Sequence, residues 1–198
     1  MPTHLGLFVV TVAVLAILPG ANNGAITRQA LLHGRRAGVL AVAGSSTGIL
    51  LWAAAAAVGL SAVLLANPHA YLTIRVAGGV LLCGLGLHTL LTGRRPAHRE
   101  PRGRSYAAGL ATSLGNPKAG VFAVSFLPQF VTADGPVLAS SILLGLVWAA
   151  VSGSWFCLYV LALHRVRVRA TRPSTERLLR AATGVTMLGL GVAVTFGW

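Results

Sequence analysis

The stretch "SLGNPKAGVF", Ser113 to Phe122, holds the only lysine of the chain, Lys118, directly after Asn116 and Pro117. It lies inside a long apolar run. An ammonium in such a run is a chemical group with few innocent uses. A charge at the centre of a bilayer costs ~3 kcal/mol or more, which marks it as a functional candidate. Asn followed by Pro is a good helix N-cap followed by a good first helical residue. The pair predicts that a new half-helix starts at Pro117. "PGANNG", Pro19 to Gly24, is the second interruption of this kind. There Asn22 or Asn23 is expected to cap a half-helix that follows Pro19 and Gly20. Each proline removes a backbone donor and frees a carbonyl. Inside a membrane such a break is tolerated only where other groups or a cavity satisfy the backbone. Two half-helix N-termini facing one cavity make an anion site, and Lys118 adds a full positive charge beside them. The plainer role for Lys118 is to satisfy carbonyls freed at the break, and the two roles are compatible.

The elements that must position these residues are membrane spans. The chain has 198 residues, of which 55% are hydrophobic and 10% charged, with a mean hydropathy of +0.76. Too few charges are present to cover a soluble domain of this size. Apolar runs cover about 5–18, 37–66, 70–91, 106–131, 137–163 and 178–198. Each is long enough, as helix, to cross a ~30 Å hydrocarbon layer, counting the first run together with its continuation past Pro19. The N-terminal run has no Lys or Arg before it, which argues against a cleaved signal peptide and for a retained helix.

The formal net charge of +13 suggests nucleic acid at first sight. The cations instead punctuate the apolar runs, so nucleic acid is excluded as a partner and the lipid bilayer takes its place. Arg28, Arg35 and Arg36 fall in the first connection. Arg94, Arg95, Arg99, Arg102 and Arg104 fall in the third, and Arg165, Arg167, Arg169, Arg172, Arg177 and Arg180 in the fifth. Fourteen of the sixteen cations thus lie on alternate connections. The positive-inside rule puts these connections in the cytoplasm and both termini outside. The remaining two are Lys118 and Arg75. Arg75 enters the third span from the outer side and is expected to snorkel or to pair with Asp134.

"IRVAGGVLLCGLGL" (74–87) and "LRAATGVTMLGLGV" (179–192) are identical at seven of fourteen positions, at a constant offset of 105. Trp52-Ala53-Ala54 matches Trp148-Ala149-Ala150, and Pro19 pairs with Pro117. The expected fold is therefore an all-α integral membrane protein of six transmembrane helices. These form two inverted three-helix repeats, about 1–93 and 106–198, joined by a cytoplasmic loop at about 94–105, with helices broken at Pro19 and Pro117. Such architecture is common in secondary transporters, and paired interruptions are its best pointer to a transport site. Pro117 lies thirteen residues after Arg104 and fourteen before Val131, which puts its break near the bilayer midplane. Lys118 is then about 20 Å of helix from Arg104 and cannot snorkel out.

The other polar features carry less. Cys83 and Cys157 each stand alone in an apolar run and read as buried small hydrophobes. The glycines around Gly84 and Gly86, and the Gly44-x-x-x-Gly48 spacing, read as close helix packing. His88 reads as interfacial packing near the cytoplasmic end of its span. No metal site or cofactor is indicated, and no nucleophile–base–acid set points to an enzyme.

"LPGANNGAITRQALLHGRRAG" (18–38), "GLATSLGNPKAGVFAVSFLPQFV" (109–131) and the closing "RAATGVTMLGLGVAV" resemble the LysE/RhtB family of amino-acid exporters over essentially the whole chain. The resemblance implies proton-driven efflux of an amino acid or close analogue from a bacterial-type inner membrane. Two departures stand out. The family usually reads Pro-Gly-Pro-Asn, and this chain has Ala21 at the second proline. Many relatives carry a polar or ionisable residue in the second span, where this chain has Gly48, Ile49 and Trp52. On this reading Asn22, Asn23, Asn116 and Lys118 bind substrate by alternating access, and a homo-oligomer is compatible with the pattern. The missing intramembrane acid disfavours lysine or arginine as substrate. It also disfavours the alternative of a metal-cation exporter, since hard cations want oxygen ligands; another small solute is the remaining alternative. A thiol–disulfide carrier would need cysteines beside the breaks, and a non-transporting scaffold has no use for paired breaks.

Overall fold

The structure is a computed structural model describing residues 4–66, 68–91, 104–131, 136–165 and 173–196. The described residues are all-helical. Helices α1 (Leu5–Ile17) and α2 (Ala21–His33) are separated at Leu18-Pro19-Gly20 and bend by 53°. The long helices α3 (Arg35–Ala66) and α4 (Pro68–Leu91) follow. The second interrupted segment comprises α5 (Ser105–Leu114), the short α6 (Pro117–Val121), a π turn (Phe122–Phe126) and a 3-10 turn (Leu127–Phe130). Helices α7 (Val137–Arg165) and α8 (Pro173–Phe196) complete the chain. Both proline breaks are therefore present where the sequence places them. Among the described residues, Arg35–Gly59 and Val137–Leu163 are single helices long and apolar enough to cross a membrane. The bent pair α1–α2, taken as one broken span, would be a third.

Glycine sets how the helices meet. A Cβ on Gly44 would collide with the Tyr106 carbonyl, and one on Gly109 with the Ala41 carbonyl. A Cβ on Gly48 would press on Ser113. From Gly44–Tyr106 to Trp52–Ser113 the partner number rises with the α3 number, so α3 and α5 run parallel. Only the absence of side chains lets their backbones come this close.

The contacts of α4 with α8 run the other way. A Cβ on Gly79 would lie 2.8 Å from the Gly191 carbonyl oxygen, and one on Gly86 2.8 Å from that of Gly184. The partner number falls as the α4 number rises, so these helices are antiparallel. Gly184 and Gly191 stand at the offset of 105 from Gly79 and Gly86. The two contacts are thus one contact with the halves exchanged. Between them Cys83 Sγ donates to the carbonyl of Leu188, its own counterpart, at 3.7 Å. Gly86 packs as expected. Gly84 has nothing within 4 Å of its would-be Cβ, so the packing expected there is absent.

The main core joins Phe8, Phe122, Phe126, Phe130, Leu144 and Trp148. Phe122 stacks on Phe126 with ring centroids 4.9 Å apart and meets Trp148 edge-on at 4.8 Å. Outward faces stay apolar, with Val10, Leu31, Val58, Leu158 and Val185 all exposed. Apolar residues outside as well as inside suit a lipid surrounding. Cys83 and Cys157 are half-buried rather than buried. His88 is exposed. Asp134 and the Arg75 side chain, with the pairing expected of them, lie outside the described residues.

Candidate functional site

The two proline breaks meet. Pro19 has no N–H for the carbonyl four residues before it, Leu15, and Pro117 has none for Ser113. Both carbonyls are found with donors from elsewhere in the chain. Lys118 Nζ donates to the Leu15 carbonyl at 3.2 Å. Trp52 Nε1 donates to the Ser113 carbonyl at 3.1 Å, which also accepts from the Asn116 N–H at 3.2 Å. The first break is thus tied by an ammonium reaching across from the second, and the second by an indole from α3.

Small residues make room for both ties. The first carbon of a side chain at Gly20 would stand 3.3 Å from Lys118 Nζ, and one at Gly120 would stand 2.9 Å from the Trp52 ring. Gly20 has an extended backbone, φ −164°, which any residue can adopt. Its use here is space.

Two other carbonyls near the end of α1 also have donors. Val14 accepts from the Leu18 N–H at 3.0 Å, and Ala16 accepts from Asn23 Nδ2 at 3.4 Å. A cation belongs at this place because the last carbonyls of a helix carry its negative end. Lys118 therefore satisfies a freed carbonyl, at the other break rather than at its own.

Asn116 caps α6 as its sequence implies, its Oδ1 accepting from the Lys118 N–H at 3.1 Å. Pro117 follows at the first helical position. The cap expected of Asn22 or Asn23 is not formed. Gly20 occupies the N-cap of α2, without a side-chain bond, and both asparagines lie inside the first turn. Because the helix begins two or three residues earlier, their side chains are turned to other partners. Asn22 Nδ2 donates to Ser45 Oγ at 2.9 Å, and Asn22 Oδ1 accepts from Asn116 Nδ2 at 3.3 Å. A buried polar line therefore runs from α3 through Asn22 to the cap of α6.

One cavity of about 30 Å³ gathers these groups. That is room for a water-sized group or two. Its polar wall holds Gly20, Asn22, Asn23, Asn116 and Lys118, and its apolar wall Ile49, Phe122, Trp148 and Phe156, with Ser152 among them. Every residue expected at the site, apart from the prolines themselves, lines it. Lys118 is partly buried, and no Asp or Glu is among the lining residues. The π turn that starts at Phe122 aims this ring at the cavity and at Trp148, a common use of such turns.

The profile of the LysE type translocator family matches residues 13–197. The chain belongs to this family. It is 26% identical over 195 residues to the homoserine/homoserine lactone efflux protein of Salmonella typhimurium, covering 93% of this chain and 92% of that one. It is 30% identical over 171 residues to the threonine efflux protein of Escherichia coli, covering 78% and 82%. It is 29% identical over 191 residues to the leucine efflux protein of Klebsiella pneumoniae, covering 92% and 90%. No solved structure matches. Membership in a family of translocators makes a small-molecule substrate and a lipid surrounding the natural partners of this LysE-type chain.

Sequence reasoning left out Ser45, Trp52, Trp148, Ser152 and Phe156. Trp148 stood out only as a repeat counterpart, and Trp52 as that and as a departure from the family in the second span. Ser45 had a signal, since Ser45-Ser46-Thr47 is a polar patch in an apolar helix. The donors for Leu15 and Ser113 had none, because they come from 103 and 61 residues away.

Proposed function

We propose that this LysE-type chain is a secondary active exporter of amino acids or close analogues across the bacterial cytoplasmic membrane. It works by alternating access, with proton exchange as its driving force. Its six spans form two inverted three-helix repeats, with both termini outside. Lys118 holds the substrate carboxylate, and Asn22, Asn23 and Asn116 shape the site around it.

The observation that carries this reading is the place of Lys118. A single ammonium faces a cavity at the junction of two broken helices. It has three N–H donors, one of which goes to Leu15. A carboxylate entering the cavity meets the others, next to the starts of α2 and α6, whose partial positive charge adds to the attraction. The names of the relatives, with homoserine, threonine and leucine among their substrates, support an amino-acid cargo. The arginine pattern supports the topology. The exchange of Gly79–Gly191 with Gly86–Gly184 supports the inverted repeat. Lys118 also weighs against a metal-cation cargo, which it would repel.

Neutral substrates are favoured over lysine, whose side-chain cation has no carboxylate to meet in this cavity. Efflux from preloaded vesicles tests this; faster efflux of lysine than of threonine would refute it. The function itself is tested by feeding dipeptides to cells with and without the gene. Neutral amino acids should appear outside faster when it is present. An identical extracellular profile in both strains would reject the exporter.

A further inference from the structure

Any site for an amino acid must hold two opposite charges on one carbon. Lys118 supplies a partner for the carboxylate. No acid lines the cavity to receive the ammonium, and the sequence has none before Glu100. The acceptors on this side of the cavity include the carbonyls at the end of α1, beside the amide oxygens of the lining asparagines. Leu15 and Ala16 both line it, and neither carbonyl is closed by a backbone N–H. Their partners are side chains, Lys118 Nζ at 3.2 Å and Asn23 Nδ2 at 3.4 Å. A primary ammonium, that of Lys118, already rests on Leu15.

We propose that these carbonyls, left open by the break at Pro19, are the subsite for the substrate's α-ammonium, and that substrate enters between Lys118 and Leu15. The inference rests on the exporter reading and adds the half of the substrate that Lys118 does not bind. The ammonium of Lys118 turns from Leu15 to the incoming carboxylate. The substrate's ammonium takes the Leu15 position that Lys118 leaves. One cation replaces another at the negative end of α1, so no carbonyl loses its partner and no charge is left uncompensated. The binding of a zwitterion at a site without an acid is thereby explained. The exchange also releases the tie between the two breaks when substrate is bound. Carboxylate and ammonium must then sit on the same or neighbouring carbons.

The test is competition on the wild-type protein in proteoliposomes. L-threonine, L-leucine and L-homoserine are first screened by counterflow, and the best transported is labelled. Its 2-hydroxy acid, its N-acetyl derivative and its decarboxylated amine are then used as competitors. Loss of one charge-assisted contact weakens binding about ten- to a hundred-fold. The hydroxy acid and the N-acetyl derivative should each compete at least ten-fold more weakly than the amino acid. A site built on Lys118 alone predicts that the hydroxy acid competes as well or better, and that result would overturn the subsite while leaving the exporter intact. Counterflow of none of the three amino acids would overturn both. The variant Pro19→Ala restores an N–H for Leu15. It should raise the KM of the amino acid while changing the weak inhibition by the hydroxy acid little; equal weakening of both would count against the subsite.

Discussion

Lys118 Nζ lies 3.2 Å from the backbone carbonyl of Leu15, the oxygen that Pro19 leaves without its helical donor. The single lysine thus closes a break in the other half of the chain. A structural duty and a place in the cavity fall on one ammonium. Trp52 and the Ser113 carbonyl make the corresponding tie at Pro117, with a neutral group. One break is held by a charge that a carboxylate can draw away, the other by an indole that it cannot.

Trp52→Phe should destabilise the fold. The benzo ring atoms that fill the space left by Gly120 are lost together with the hydrogen bond to Ser113. The Ser113 carbonyl retains the Asn116 N–H, so it is not left bare. The lost bond costs about 1 kcal/mol and the space left by the benzo ring adds to it, read as a fall in melting temperature in detergent. A variant as stable as wild type would mean that the indole bond adds nothing.

Gly109→Ala should be far more damaging, because its Cβ meets the Ala41 carbonyl, a backbone atom that cannot rotate away. Overpacking of this kind typically costs about 1–3 kcal/mol. Gly84→Ala is the matched control, having nothing within 4 Å, and gains helix propensity. Melting temperatures of the two variants should separate clearly. Equal values would contradict the close parallel packing of α3 on α5.

Much of this arrangement was legible in the sequence. Pro19 and Pro117 mark both breaks, because a missing N–H acts locally. Asn116-Pro117-Lys118 marks the cap and the cation for the same reason. The register of Asn22 and Asn23 was not legible. Gly20 can also start a helix, and Asn22 is then free to bond Ser45 on α3 and Asn116 at the cap of α6. The roles of Trp52 and Ser45 were hidden for a related reason. A freed carbonyl announces that it needs a donor, but the donor is chosen by packing between helices distant in sequence.

The proposed topology rests on the arginines. Reporter fusions after Trp198 and in the loop at Pro96 should label opposite sides of the membrane, with the loop in the cytoplasm. Two cytoplasmic signals would contradict the six-span arrangement.

The most direct test of the account is efflux per inserted molecule for Lys118→Ala. Loss of the tie to Leu15 should lower the melting temperature, so total efflux from cells does not separate the two duties of this lysine. Vesicles loaded with the best-transported neutral amino acid, and normalised to the protein inserted, do. A charge-assisted contact is worth about 1.5–3 kcal/mol, or roughly ten- to a hundred-fold in affinity. Lys118→Arg should rescue poorly, since a planar fork needs a different cavity from a compact ammonium. The account predicts at least a ten-fold loss of efflux per molecule at substrate concentrations below saturation. Normal efflux from each surviving Lys118→Ala molecule would contradict it and leave Lys118 a structural tie alone.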